Sequence, residues 1–122
     1  MKETKERLAT TLDAGPATIQ SANWGRMTSA YMQMGKGADF TPFLEGLPDD
    51  LCQAPHWGYV LEGELHVRYT DGREETVGAG QLYYLPPGHT VWFEEETEYV
   101  EFSPQQEMAE VLAHVEEQMQ AT

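Results

Sequence analysis

The feature that most constrains this chain is its punctuation. Between residues 17 and 102, glycines, prolines and Asp-Gly or Pro-Pro-Gly steps interrupt the sequence about every 8–12 residues, leaving runs that suit strands better than helices. Residues 17–24 and 27–34 flank Gly25, and Gly35-Lys-Gly-Ala-Asp39 is a loop. Side chains in 27–34 alternate, although neither face is cleanly apolar. Residues 40–50 carry Pro42, Gly46 and Pro48 and read as an irregular or edge segment. His56 to Glu62 reads as a strand, Glu62-Gly63-Glu64 as a tight turn, 65–70 as the returning strand and Asp71-Gly72 as a hairpin signal. Strands over 74–77 and 81–85 follow around Gly78-Ala-Gly80. After Pro86-Pro87-Gly88 a strand over 90–94 turns through the acidic run at 94–98 into 99–102. This series predicts an all-β sandwich or barrel rather than alternating βαβ units.

The two ends differ from this centre. Residues 1–15 are polar, with Leu8 and Leu12 at a weak helical spacing, and read as a frayed arm or short helix ending near Gly15-Pro16. At the other end, Ser103-Pro104-Gln105-Gln106 has the order of a helix start: a capping hydroxyl, a first-turn proline and a glutamine to complete the box. Met108, Val111, Leu112, Val115 and Met119 then recur at helical spacing, an apolar stripe to dock on the β core or on a second copy. His114 lies beside the stripe and is expected at the surface or rim. The expected division is an arm (1–15), a β-domain (16–103) and a C-terminal amphipathic helix (104–122).

Length and composition (122 residues, 40% hydrophobic, 23% charged) suit one folded domain rather than a disordered chain. A formal net charge of −14, with seven scattered Lys and Arg residues, argues against nucleic acid or anionic membrane as partners. No apolar run approaches the ~20 residues of a membrane span. The start, Met1-Lys-Glu-Thr-Lys-Glu-Arg7, lacks the apolar stretch of a signal peptide, so the cytoplasm is the expected location. The lone cysteine, Cys52, cannot pair within the chain and fits a reducing compartment.

Two segments hold side chains suited to a ligand. If the first is extended, Asp50, Cys52 and His56 leave one face, and in the second His89 and Val91 share parity about 7 Å apart along the strand. A carboxylate, a thiolate and two imidazoles are competent ligands for zinc or iron, and the thiolate disfavours magnesium and calcium. Each residue has a plainer reading as well. His56 suits a hydrogen-bonded core histidine, Cys52 a small buried apolar residue, Asp50 a turn residue and His89 the mouth of the fold. Gly58 shares the parity of His56 and leaves space beside it. With Tyr84, Val91 and Trp92 it is candidate pocket lining, although aromatics on these strands equally describe an ordinary β core. His66 and Arg68 alternate with Leu65, Val67 and Tyr69 and are expected on an outer face.

In order and spacing the two segments resemble the paired motifs of the cupin superfamily. Gly63 closes the first motif, which puts His56 on its glutamate position and Cys52 and Asp50 on its histidine positions. Gly80, Pro86 and Gly88 match the second motif, whose histidine position holds Val91, with His89 two residues earlier. Val60-Leu61-Glu62-Gly63-Glu64 and Leu85-Pro86-Pro87-Gly88 are phrases typical of the family, and the resemblance covers residues 40–103. It implies a cupin-type double-stranded β-helix, a small jelly-roll barrel, with a small-molecule ligand in its pocket. It also implies one divalent metal ion (zinc, iron or manganese) on His56, His89, Cys52 and Asp50, with the absence of metal equally open. A histidine on the glutamate position is tolerated in some four-histidine members. A homodimer is a further implication, with the N-terminal arm and the helix stripe as candidate contacts.

Three functions follow as expectations. One is a metal-dependent enzyme acting on a small organic molecule, with Tyr84 or His89 as acid or base. The second is a non-catalytic module that binds or senses a small ligand. The third is a structural dimer unit without metal.

Overall fold

The computed structural model describes residues 1–121. Along it run strands β1 (Ala9–Ala14), β2 (Ala17–Trp24), β3 (Met27–Met34), β4 (His56–Glu62), β5 (Glu64–Tyr69), β6 (Glu74–Gly78), β7 (Leu82–Leu85), β8 (His89–Trp92) and β9 (Thr97–Pro104), then helix α1 (Gln105–Gln120). They form a six-stranded sheet in the order β1-β2-β3-β9-β4-β7 and a three-stranded sheet in the order β6-β5-β8. Two sheets in jelly-roll order, rather than one continuous closed barrel, make up the body. Isolated backbone bridges from Asp39 to Trp92 and from Cys52 to His89 cover the free edge of β8.

Turn chemistry sets this order. At Gly63 the backbone has φ +83, and a Cβ there would strike the carbonyl of Glu96 and the side chain of Thr97. Only glycine supports so tight a passage from β4 to β5. Alternation then selects the faces. In β5, Leu65, Val67 and Tyr69 point inward while His66 and Arg68 face outward, His66 stacking on Trp92. Inside, Ile19, Met32, Val60, Leu65, Leu85, Phe93 and Tyr99 make the core between the sheets.

The two ends of the chain behave differently from a reading of local pattern. Residues 9–14, within the segment read as a polar arm, extend the large sheet as β1, paired antiparallel from Ala9↔Ser21 to Ala14↔Ala17. The Gly15-Pro16 step turns the chain back on itself, so Leu12 goes into the core instead of onto a helical face. At the far end Ser103 is still the last inward residue of β9, and Pro104 occupies the N-cap position with no side-chain cap. The amide of Gln105 instead donates to the carbonyl of Arg26 at 2.8 Å. Met108, Val111 and Val115 are buried, and α1 packs on the 3₁₀ turn Thr41–Leu44. The apolar stripe is thus satisfied within the chain. Among the described residues no helix is long and apolar enough to cross a membrane.

Candidate functional site

Three of the four candidate ligands converge. Cys52 comes from the segment that bridges β8, His56 from the first residue of β4 and His89 from the first residue of β8, and all three are buried. Their donor atoms lie within 4.8 Å of one another. Cys52 Sγ is 3.6 Å from His56 Nε2, and the two imidazole rings meet edge to face with centroids 4.9 Å apart.

The chain fixes each ring through its other nitrogen. His89 Nδ1 donates to the carbonyl of Pro86 at 2.8 Å, which leaves Nε2 as the lone-pair nitrogen. His56 Nδ1 lies 2.6 Å from Ser103 Oγ and 3.7 Å from a carboxylate oxygen of Glu101. With Nδ1 protonated on these two oxygens, His56 also presents its lone pair at Nε2, toward Cys52. Anchoring one ring nitrogen to orient the other is the arrangement found around metal-ligating histidines.

Burial governs the charges. It lowers His56 to about 3 and, together with the neighbouring His56, lowers His89 to about 4, so both rings are neutral at physiological pH. Burial also pushes the Cys52 thiol up to about 12. Glu101, held inside β9, is raised to about 7 by the same cause, against the pull of a 2.7 Å hydrogen bond from the Tyr83 hydroxyl. Glu101 and His56 are therefore not an ion pair despite their closeness, because desolvation outweighs their attraction.

The donor set fits a tetrahedral, thiophilic metal. Bonds of about 2.3 Å to sulfur and about 2.0 Å to nitrogen at a tetrahedral angle separate S from N by about 3.5 Å. The 3.6 Å between Cys52 and His56 matches that value. The widest separation, up to 4.8 Å, needs side-chain closure by roughly 1 Å.

Asp50 stands apart from this cluster. Its backbone is left-handed (φ 57), its carboxylate is exposed, and Oδ1 accepts the amide of Gly46 at 2.9 Å. Turn chemistry consumes it. Of the pocket residues expected, Val91 lines the cavity. Gly58 faces inward, but the ring of Tyr83 fills the space its missing side chain leaves. Tyr84 and Trp92 point outward, Tyr84 against Trp57 and Trp92 against His66. The acid or base role considered for Tyr84 therefore has no access to the cavity.

Glu101, Ser103 and Tyr83 are the residues that local reading did not select. The available signal was parity: once Tyr99 is inside, Glu101 and Ser103 must follow it. The cavity, which Glu101 lines, holds about 50 Å³ and is closed on one side by Met108, Val111 and Val115 of α1. That is space for on the order of three or four water-sized groups.

The comparisons with known proteins agree with this architecture. Residues 53–103 match the family model for the cupin domain. The fold is similar to that of an RmlC-like cupin from Shewanella frigidimarina (17% identity, TM-score 0.62, covering 84% of this chain and 88% of that one). It is similar also to a structure of unknown function from Rhizobium leguminosarum (27% identity, TM-score 0.56, covering 75% and 83%). A variant of Bacillus subtilis oxalate decarboxylase shares the fold at 21% identity and TM-score 0.59, over 81% of this chain but 28% of that one. Comparison with curated protein sequences gives no match. Over residues 53–103 the chain is similar to the cupin domain, and the fold of the described residues is the cupin jelly roll.

Proposed function

We propose that this chain binds one divalent metal ion, zinc or iron ahead of manganese, through Cys52, His56 and His89, and acts on a small organic molecule. The observation that carries the reading is the pair of buried imidazoles, each held through Nδ1, with His56 Nε2 3.6 Å from the thiol and a donor atom of all three residues within 4.8 Å of the others. Zinc and iron rank first because thiolate and imidazole donors suit them better than an oxygen-preferring ion. With three protein donors, such a metal keeps an open position and supplies a Lewis acid or an activated water.

The chain's own residues would then do the rest. Ser103 and Glu101 hold the Nδ1 proton of His56, Pro86 holds that of His89, and α1 excludes bulk water. Glu101 borders the cavity with an acidity near neutrality, which suits it to take or return a proton. The small, helix-capped cavity also favours a second reading, a non-catalytic module for a small ligand.

Metal content of the untagged protein, measured by plasma mass spectrometry, tests the first reading. Near-stoichiometric zinc or iron is expected in the native chain, with at least a tenfold loss in His56→Ala and in Cys52→Ala. Asp50→Ala should keep the native content. Metal far below one per chain, unchanged in both ligand variants, overturns the metal site and leaves the ligand-binding module, which a thermal-shift screen with small organic acids would then address.

A further inference from the structure

The walls of the cavity restrict what kind of molecule can enter it. Cys52, His56, His89, Thr90 and Glu101 supply its polar groups. The rest is hydrocarbon and thioether, from Met32, Met34, Met108, Val111, Leu112 and their neighbours. No lysine or arginine belongs to the lining, and none of the seven in the chain is buried. The first residue of α1 to reach the cavity is Met108, so the amides of Gln105, Gln106 and Glu107 at the positive end of the helix lie outside its wall.

An anion therefore finds no partner here. Both imidazoles are held neutral by burial, and the groups that can lose a proton, Cys52 and Glu101, become negative when they do. Two such groups match the charge of one divalent ion, so a metal on the cluster would leave no positive surplus. A carboxylate or phosphate inside would be a buried, unpaired charge. A neutral polar head is better served. His56 and His89 each keep Nε2 as an acceptor, and Thr90 Oγ1, 2.8 Å from Thr41 Oγ1, has hydrogen-bonding capacity beyond that one contact. Three methionines in the wall adapt to the shape of an apolar tail.

We propose that the cavity takes a short aliphatic molecule with one uncharged polar head, an alcohol, aldehyde or ketone, and excludes carboxylates and phosphates. Its volume of about 50 Å³ admits about three or four non-hydrogen atoms. The proposal rests on the reading that this cavity is the ligand site, which both functions above share, and it does not depend on the metal. It places neutral molecules ahead of organic acids in any screen of the site.

Methionine-methyl NMR of the full chain tests it, with acetone and acetate as probes because they share a heavy-atom shape and differ in charge. In the protein as purified and after chelation, acetone should shift the methyl signals of Met32, Met34 and Met108 but not those of Met1 and Met27. Its dissociation constant should be on the order of millimolar. Acetate should bind at least about tenfold more weakly. Leu112→Trp, which fills the cavity from α1, should remove the acetone response while far-UV circular dichroism stays native. Acetate that shifts the same three methyls as readily as acetone overturns the charge selection and leaves the cavity as the ligand site. No shift of these methyls with either probe up to about 0.1 M overturns the cavity as a ligand site, and the proposal with it. So does an acetone response that persists in well-folded Leu112→Trp, and if that variant unfolds, the pattern of methyl shifts decides alone.

Discussion

Glu101 is a carboxylate buried inside the fold, and burial raises its pKa above the ordinary value. Its folded acidity, about 7, lies above the ordinary 4.5, so the fold binds its proton more tightly than the unfolded chain does. That contribution is present below about pH 4.5 and is lost as pH rises through about 7. The two histidines act oppositely: lowered to about 3 and about 4, they stabilise the fold above pH 6.5 and lose that contribution as pH falls. In metal-free protein, Glu101→Gln should therefore gain stability relative to the native chain between pH 4 and pH 8, by on the order of 3 kcal/mol. Urea titrations across that range would show it, and a constant difference would refute it. Gly58 offers a second residue-scale test. A Cβ there would overlap the Tyr83 ring and push its hydroxyl off Glu101, so Gly58→Ala should cost roughly 1–3 kcal/mol in urea unfolding. The convergence of His56 with Cys52 could be anticipated from parity and from the place of His56 before Gly63. Glu101 follows from parity only once Tyr99 is known to face inward; taken alone, a glutamate among Tyr99, Val100 and Phe102 looks like the exposed member of its strand.

At the scale of the element, β9 and α1 decide the character of the pocket. β9 runs against the usual polarity: Thr97, Tyr99, Glu101 and Ser103 face inward while Val100 and Phe102 face outward. Pairing explains the inversion. β9 lies between β3 and β4, and the register that opposes Trp57 to Phe102 fixes every other side chain of the strand. Helix α1 closes the cavity with Met108, Val111 and Val115. Met108→Ala should therefore cost about 2–5 kcal/mol and open a path to the cluster. In the metal-free native chain the Cys52 thiol, buried and pushed up to about 12, should react slowly with an aromatic disulfide reagent. The rate should rise clearly in Met108→Ala, and equal rates would show that the helix does not control access.

At the scale of the molecule, binding and folding are coupled. A metal that binds the folded cluster and not the unfolded chain stabilises the fold by about 4 kcal/mol at a free concentration of a thousand times its dissociation constant. Adding zinc to chelator-stripped protein should raise the melting temperature, and His56→Ala should abolish the response. Because a bound thiol must lose its proton, zinc binding should release about one proton from Cys52 near pH 8. Calorimetry in two buffers of different ionisation heat counts that proton, and a value near zero would exclude the thiolate as a ligand.

The sequence by itself determined the succession of short strands, the Gly63 and Gly88 turns, and the parity that sets Leu65, Val67 and Tyr69 against His66 and Arg68. These are local matters of allowed backbone angles and alternation, readable one segment at a time. Only the tertiary structure decided which candidate donors meet. Cys52, His56 and His89 come together because β8 and β4 bring their ends to one side of the sandwich, whereas Asp50, of suitable parity, is turned away by its left-handed backbone. It also decided that residues 9–14 form a strand, that Ser103 holds His56 instead of capping a helix, and that the aromatics divide between core and outer face. Parity says which side chains share a face, but burial and pairing with distant strands say which face is inside.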